Sequence, residues 1–494
     1  MAAVTALPQF PWLSLLIGLP LAGALLCLLQ RRSAAECRWL ALVTAGATLV
    51  VSLWLLVAFG NGAGPWLLRE DAAWIPRFGI RYTLALDGIS LLMVLLTAFL
   101  QVTAVLLAWP EQRRVPLFMA LLLLLESGLM GVFLAVDLVL FYLFWEAMLL
   151  PMVFLIGICG EEGRRRAAIR FFLYTLAGSL AMLVAMLVLF LLHGAQSGSY
   201  SFALADLART RLTLAQEYLL FGGFMLAFAI KAPLVPFHTW QPDALSEAPA
   251  AGSVDLTGLL LKTGVYGMIR FAFPLFPHAA RAALPLLAGL ALAGLFHAAW
   301  NAYRQDDVKR ILAYSSISHL GLVVLGLAAW NAAAWQGSIL LMVSHGIVTG
   351  ALFALVAMLR LRTGTRDLNE LGGLWGAAPC LSAFFLLFTL ASLGLPGLAN
   401  FTGEILVLLG TFQARPLWAL LALPGLVFAA AYLLRLVQGL LWGPGTHGRL
   451  ADLTLREWLV LVPLALLTIW LGLHPAPLLA TLAGPVQVAL GGLP

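Results

Sequence analysis

Residues 228–271 read FAIKAPLVPFHTWQPDALSEAPAAGSVDLTGLLLKTGVYGMIRF. Two of the chain's three lysines, Lys231 and Lys262, stand here in strongly apolar surroundings. Pro233 and Pro236 follow the first lysine, and a proline both removes a backbone donor and clashes with the preceding helical turn. The stretch therefore predicts one helix that breaks beside a buried charge and a second helix that carries another.

The composition of the whole chain indicates which solvent surrounds these charges. Asp, Glu, Lys and Arg make up 10% of the 494 residues, apolar residues make up 62%, and the mean hydropathy is +1.00. A soluble domain has about 25% charged residues, so this chain cannot cover a soluble globule and must lie in lipid. An extramembrane catalytic domain and a nucleic-acid-binding domain are thereby excluded.

Apolar runs long enough to span a bilayer predict an all-α integral membrane protein with about fourteen transmembrane helices. The runs lie near 10–30, 39–59, 86–109, 116–135, 137–159, 168–193, 217–240, 254–274, 282–303, 310–330, 336–360, 375–413, 416–440 and 456–474. The seventh run contains the two prolines, and the twelfth is too long for one helix and contains Leu395-Pro396-Gly397. Helices 7 and 12 are therefore predicted to be broken.

Broken helices at matching positions in two halves are typical of inverted repeats with a transport site at the breaks. We predict N-terminal transmembrane helices 1–3 over residues 1–115 and a first inverted five-helix repeat, helices 4–8, over 116–274. A second repeat, helices 9–13, follows over 282–440, and helix 14 with a tail follows over 441–494.

The distribution of positive charge predicts the orientation. Loops after odd-numbered runs carry about twice as many Arg and Lys residues as loops after even-numbered runs, and cytoplasmic loops are the positive ones. The protein is therefore predicted to be a multi-pass membrane protein with both termini on the outer side.

Six predicted spans each carry an ionisable residue: Glu146, Lys231, Lys262, His319, His345 and Glu404. A charge at the centre of a span costs about 2.5–3.5 kcal/mol on insertion scales, so such residues persist where they have a partner or a function. A proton relay across a membrane protein needs groups on successive helices that can each hold and release a proton. We predict that these six residues form such a relay.

Structural roles are the alternatives to this relay. Glu146 and Lys231 can instead form a static buried ion pair, and the two histidines can be hydrogen-bonding links between helices. For Glu126, Asp137 and Arg435, which lie near span ends or lack an evident partner, a structural role is favoured.

Five segments carry a family resemblance. They are residues 228–271 quoted above, FYLFWEAMLLPMVFLIGICG (141–160), DVKRILAYSSISHLG (307–321), SHGIVTGALF (344–353) and GLPGLANFTGE (394–404). Together they resemble the antiporter-like membrane subunits of respiratory complex I over helices 4–13. Within that family, glutamate at position 404 is similar to the chain M type (mitochondrial subunit 4), since the chain L and N types usually have lysine there.

The resemblance implies two inverted five-helix repeats within a fourteen-helix core. By carry-over it also implies a role for each buried group: Glu146 and Lys231 as the charged pair of the first half-channel, Lys262 as the central relay residue, His319 and His345 as bridging histidines, and Glu404 as the exit-side acid. One departure is Leu245, which stands where the family usually has a histidine and cannot titrate.

The resemblance further implies a subunit that moves protons within NADH:quinone oxidoreductase, between chain L-type and chain N-type neighbours. It also implies a bacterial cytoplasmic (inner) membrane, with the termini on the periplasmic side. No redox chemistry is expected on this chain, since it lacks a CxxC, a GxGxxG and a P-loop. NADH, FMN, iron–sulfur clusters and quinone are expected in partner subunits, with no metal here. The alternatives are a subunit of an Mrp-type cation/proton antiporter, a membrane-bound hydrogenase subunit, or a scaffold that moves no ion.

Overall fold

The computed structural model describes residues 10–29, 33–60, 65–445, 448 and 450–491. Nearly all of this chain is helical. The long helices and the halves of the broken ones are α1 (Trp12–Leu29), α2 (Ala34–Phe59), α3 (Gly88–Leu107), α4 (Val115–Leu134), α5 (Leu138–Cys159), α6 (Arg164–Ser197), α7a (Leu214–Lys231), α7b (Gln241–Glu247), α8 (250–275), α9 (Pro277–Tyr303), α10 (Val308–Ala328), α11 (Ala332–Thr363), α12a (Pro379–Ser392), α12b (Ala399–Ala414), α13 (Pro416–Trp442), α14 (Leu455–Leu473) and α15 (Ala476–Gly491).

Each predicted apolar run overlaps one of these helices or the halves of a broken one, so the predicted class of helical membrane protein is confirmed. Within the described ranges, twelve helices are long and apolar enough to cross a membrane. The helix α8 is continuous but contains two π-helical segments, Leu256–Leu260 and Met268–Ala272. Short helices, Leu204–Leu207 and Leu374–Ala377, lie in connections.

A β-hairpin between α2 and α3 was not predicted from the sequence. Its strands, β1 (Leu68–Ile75) and β2 (Ile80–Leu86), pair antiparallel. Gly79 closes the turn with φ +63°, and its Cα lies against the backbone of Tyr200, where a side chain would not fit. The hairpin marks one end of the bundle, called here the hairpin face.

The opposite end is the arginine-rich face, formed in the described ranges by the loops after α3, α5, α9 and α11. Helix α1 begins on the hairpin face, where the N–H groups of Leu13 and Ser14 donate to the Glu70 carboxylate at 2.6 and 3.0 Å. Helix α2 begins on the arginine-rich face, where Arg38 donates to the carbonyl of Glu111 at 2.6 Å. Successive helices then alternate between the two faces.

Both predicted helix breaks are present. Helix α7a comes from the hairpin face and ends at Lys231, whereas α12a comes from the arginine-rich face and ends at Ser392. The chain resumes as helix at Gln241 and at Ala399. The breaks thus lie in helices of opposite direction, as inverted repeats require, and the repeat boundaries at 116–274 and 282–440 stay a prediction.

The last helix, α15, follows α14 directly and was predicted only as a tail. At 16 residues it is shorter than a typical span, and Pro485 lies inside it. It packs against α3 and α11, with the carbonyl of Thr481 against the Cα of Gly88. The apolar part of helix α11 is fully buried, and the helix is thereby enclosed at the centre of the bundle.

Candidate functional site

Lys262 lies at the contact between α8 and α11. Its side chain is fully buried, and its Nζ donates to the carbonyl of Thr257 in the preceding π-helical segment. The same Nζ lies 3.0 Å from Nδ1 of His345 on α11. Gly258 and Gly346 face each other here, and a Cβ on Gly346 would lie only 3.0 Å from the Gly258 carbonyl. The two glycines therefore bring the helices close enough for the lysine–histidine contact.

His345 and His319 are the next neighbours along this line. Their ring centres are 5.2 Å apart. Nδ1 of His319 lies 2.8 Å from the Ser315 carbonyl, and Nε2 lies 3.0 Å from the Ser392 carbonyl, which ends α12a. A neutral imidazole has one N–H donor and an imidazolium has two. Both ring nitrogens of His319 therefore face carbonyl acceptors, and only the imidazolium form can donate to both.

Glu404 stands on α12b, just beyond the helix break. Its Oε1 lies 3.6 Å from Nε2 of His319, and its carboxyl packs against the Cα of Gly394 in the break. Gly394 has φ +78°, a left-handed conformation that a residue with a Cβ adopts at a cost. The break therefore brings the acid within reach of the histidine and leaves space for its carboxyl.

Four of the six predicted relay residues thus form one continuous line. It runs from Lys262 on α8 through His345 on α11 and His319 on α10 to Glu404 on α12b. The hydroxyl of Tyr432 on α13 donates to Oγ of Ser315 at 2.8 Å, and so helps to hold the residue whose carbonyl contacts His319. The line has titratable groups at each step, which is the geometry a proton relay requires.

Lys231 lies apart from this line, at the C-terminus of α7a. Its buried Nζ lies 5.1 Å from the ring centre of Trp145 and 5.7 Å from that of Phe171, so cation–π attraction supports its charge. Among the described residues, Nζ has no hydrogen-bond partner, and neither does Oε1 of the half-buried Glu146. The direct ion pair considered as a structural alternative is therefore not formed.

The remaining charges near span ends divide into two kinds. Asp137 caps α5 by accepting the N–H groups of Val139 and Leu140, and Arg435 pairs with Asp306 at 2.6 Å, so both are structural as expected. Glu126 on α4 is different, because it is fully buried and neither carboxyl oxygen has a partner in the described chain. No hydrogen bond in the described chain therefore supports the structural role that was favoured for Glu126.

Asp255 on α8 is a second buried carboxyl without a hydrogen-bond partner in the described chain. It stands seven residues before Lys262 and on the same helical face, and it was not among the residues predicted to be functional. The signal that could have identified both groups is an acid inside an apolar run. Such an acid is functional by default.

Lys309, the third lysine, belongs to an ionic network on the arginine-rich face. Glu161 lies at its centre and pairs with Lys309 at 2.8 Å, with Arg366 at 2.8 Å and with Arg360. Arg366 also pairs with Asp307 at 2.7 Å. The network ties together the loops after α5, α9 and α11, so these charges have a structural use.

A helical bundle with two oppositely directed broken helices, and a buried line of ionisable groups beside one of them, defines an antiporter-like membrane protein. The chain belongs to the NADH:quinone oxidoreductase/Mrp antiporter transmembrane family, whose profile matches residues 135–429. The resemblance found in the sequence is thereby confirmed.

Known relatives extend this match to almost the whole chain. NADH-quinone oxidoreductase subunit M of Escherichia coli is 42% identical over 488 residues, which cover 95% of each chain. A chain of respiratory complex I from Thermus thermophilus with bound NADH superimposes with a TM-score of 0.88 at 36% identity, covering 97% of this chain and 100% of that chain. A chain of the Mrp complex from Dietzia shares the fold at a TM-score of 0.83 and 21% identity, covering 99% of this chain and 100% of that chain.

Proposed function

We propose that this chain is the proton-translocating, chain M-type subunit in the membrane arm of an NADH:quinone oxidoreductase. The observation that carries the proposal is the buried line of titratable groups from Lys262 to Glu404. The names of the Escherichia coli relative and of the Thermus thermophilus structure support the choice of complex. Both relatives align with this chain over nearly their whole length, so they are a suitable guide to the complex in which it assembles.

The geometry supports a proton moving in three steps. The Lys262 ammonium gives a proton to Nδ1 of His345 at 3.0 Å, and the proton passes from that ring to the adjacent ring of His319. His319 then gives a proton from Nε2 to the Glu404 carboxylate across 3.6 Å. Each step breaks one N–H bond and forms one N–H or O–H bond, so nothing but the proton moves.

Lys231 and Glu146 act on this line through charge rather than through contact. A change in the distance between Glu146 and Lys231 alters how strongly the lysine holds its proton, because the two charges attract one another in a medium of low dielectric constant. Moving one charge against 100 mV costs about 2.3 kcal/mol. Rearranging one buried charge pair involves energies of several kcal/mol, so the coupling is adequate in size.

The assembly follows from the same proposal. The arginine-rich face lies toward the cytoplasm, and both termini lie on the outer side. Chain L-type and chain N-type subunits flank this chain in the bilayer. NADH, FMN, iron–sulfur clusters and quinone belong to partner subunits, so this chain is part of the enzyme without carrying out its redox step.

Purification of the tagged chain from its native membrane tests this assignment. We expect NADH:quinone oxidoreductase activity to co-purify with the chain, along with NADH-driven proton uptake after reconstitution into lipid vesicles. Co-purification of a hydrogenase, or of cation/proton antiport without NADH oxidation, would instead establish one of the related complexes. A Lys262→Ala variant that assembles normally and takes up protons as well as the parent would establish the scaffold.

Gly394→Ala should reduce proton uptake per assembled complex by about tenfold, a modest loss for an impaired proton-transfer group. A Cβ at this position would lie 2.3 Å from Oε2 of Glu404, so the carboxyl must leave the position that sets its 3.6 Å distance to His319. Gly397→Ala is the matched control, because Gly397 also has a positive φ but its Cβ would meet only Leu473, at 3.7 Å.

Both alanine variants place a Cβ in a left-handed conformation, which costs about 1–2 kcal/mol. They should therefore lower the thermal stability of the complex to a similar extent, measured by unfolding of the purified complex. Only Gly394→Ala should lower proton uptake per complex. Equal uptake by the two variants would show that the position of the Glu404 carboxyl does not matter.

A further inference from the structure

A cavity of about 610 Å³ opens on the arginine-rich face. Leu106 of α3, Phe118 of α4 and Ala251 of α8 lie on its walls, and Glu161, Lys309 and Arg360 lie on its rim. A cavity of this size with a charged rim can hold water. Water from the arginine-rich face can therefore reach the end of α3 and the starts of α4 and α8, which pack against one another.

The depth of each buried group below this cavity can be read along the helices, at 1.5 Å per residue. On α8, Asp255 follows Ala251 by four residues and Lys262 follows it by eleven, which are depths of about 6 and 16 Å. On α4, Glu126 follows Phe118 by eight residues, a depth of about 12 Å. Both acids therefore lie between the cavity and the relay lysine.

One contact confirms that α4 and α8 keep this register. The Tyr266 hydroxyl on α8 donates to the Phe133 carbonyl on α4 at 2.8 Å. Tyr266 follows Ala251 by fifteen residues, and Phe133 follows Phe118 by fifteen residues. Both helices therefore have the same number of residues between the cavity and this bond. Distances from the cavity along one helix can thus be compared with distances along the other.

The Lys262 side chain turns back toward the cavity. Its Nζ bonds to the carbonyl of Thr257, which stands five residues earlier on α8 and two residues after Asp255. The ammonium group therefore lies nearer the cavity than its own Cα does, and closer to the depths of Glu126 and Asp255. It is placed to receive a proton from the side of these acids and to give one to His345.

Three buried polar side chains at this depth have no hydrogen-bond partner in the described chain: Gln101 on α3, Glu126 on α4 and Asp255 on α8. Glu126 and Asp255 are close enough to repel one another when charged. Buried polar groups normally have partners, and a carboxylate without a counter-charge is costly at such a site. Bound protons and inserted water satisfy all three groups.

We propose that Asp255 and Glu126 carry protons from this cavity to Lys262, and that they form the cytoplasmic inlet of the relay. The proposal rests on the proposed function. A proton from the aqueous phase passes along the water in the cavity to the Asp255 carboxylate, leaving that water neutral, and then passes to the Glu126 carboxylate, directly or over one water. Glu126 gives a proton to the neutral Lys262 amine after the lysine has supplied His345, so one O–H bond breaks as one N–H bond forms. Gln101 is a positioning residue whose amide holds the connecting water.

The test compares amide and acid variants in the whole complex, reconstituted into vesicles with NADH as the donor. Glu126→Gln and Asp255→Asn should each lower proton uptake per complex by at least about tenfold, as expected when a proton-transfer group is lost. Glu126→Asp and Asp255→Glu keep a carboxylic acid and should keep at least about half of the uptake. The number of complexes is measured by NADH oxidation with an artificial electron acceptor, which needs no proton transfer in this chain.

Glu217→Gln is the matched control. Glu217 is also a buried acid, but it lies on the hairpin face, where its Oε1 accepts the N–H groups of His278 and Ala279, and an amide oxygen can do the same. We expect normal uptake from this variant.

Infrared difference spectra give an independent readout of the two acids. The amide variants should each lose carbonyl intensity of a protonated carboxylic acid during turnover, which a purely structural role would leave unchanged. Normal uptake by both amide variants alongside a defective Lys262→Met would overturn the inlet and leave the relay intact. Normal uptake by Lys262→Met itself would instead overturn the proposed function.

Discussion

Replacing Lys262 by methionine should remove nearly all NADH-driven proton uptake, about a hundredfold, while the complex still assembles. Methionine fills a similar volume in the fully buried site between α8 and α11 but cannot carry a proton. The contact between Nζ and His345 would be lost, and with it the first step of the line. Uptake is measured in inverted membrane vesicles and normalised to the amount of assembled complex.

The Lys262→Arg variant tests whether the site needs only a positive charge or needs a group that can release a proton. A guanidinium has a pKa above about 12 and does not give up its proton, so this variant should fail as methionine does. Arg435→Met is the control for loss of a cation within a span. Its partner Asp306 is half exposed in the loop after α9, and neither residue lines the inlet cavity, so uptake per complex should stay near that of the parent. Normal pumping by Lys262→Arg would show that the site needs only a positive charge.

Glu404→Gln should slow proton uptake by at least about tenfold, because the amide is nearly isosteric but holds no acidic proton. The carboxyl is the last group of the line, 3.6 Å from His319 and beside the break in helix 12. Backbone groups released at such a break can bind water, which can take the proton onward. Glu404→Asp and Glu404→Lys keep a titratable group and should retain part of the uptake.

Glu217→Gln again serves as the control, now for Glu404, since one oxygen of Glu217 accepts the N–H groups of both His278 and Ala279 and the amide oxygen of glutamine can accept them too. Both variants are compared in the same vesicles and at equal content of complex. If Glu404→Gln pumps as well as the parent, the carboxyl is structural and the proton leaves the line earlier, with His345 as the next candidate.

The membrane fold could be predicted because its signals are local in sequence. An apolar run has the length of one span, and proline or Pro396-Gly397 interrupts a helix wherever it occurs. The β-hairpin and α15 were missed for the converse reason. Both are too short to register as spans, and their positions depend on contacts with distant segments, such as Gly79 with Tyr200 and Gly88 with Thr481.

The relay residues could be named from sequence because a charge in an apolar run is conspicuous, but their connections could not. That His345 bonds to Lys262 while Lys231 faces Trp145 and Phe171 depends on helix packing. The same limit applies to Glu126. Its burial without a partner becomes visible only once α3, α4 and α8 are assembled around it.

The central claim is that one proton path joins Lys262 to Glu404, and cutting that path in the middle tests it most directly. His345→Leu removes the only ring between Lys262 and His319 in the described line and leaves both end groups intact. His297→Leu, which removes an exposed histidine on α9, is the control. We predict that NADH-driven proton uptake per complex falls as far in His345→Leu as in Lys262→Met and stays normal in His297→Leu. Normal uptake in His345→Leu, with Lys262→Met and Glu404→Gln both defective, would show that the two end groups act separately and that no such path exists.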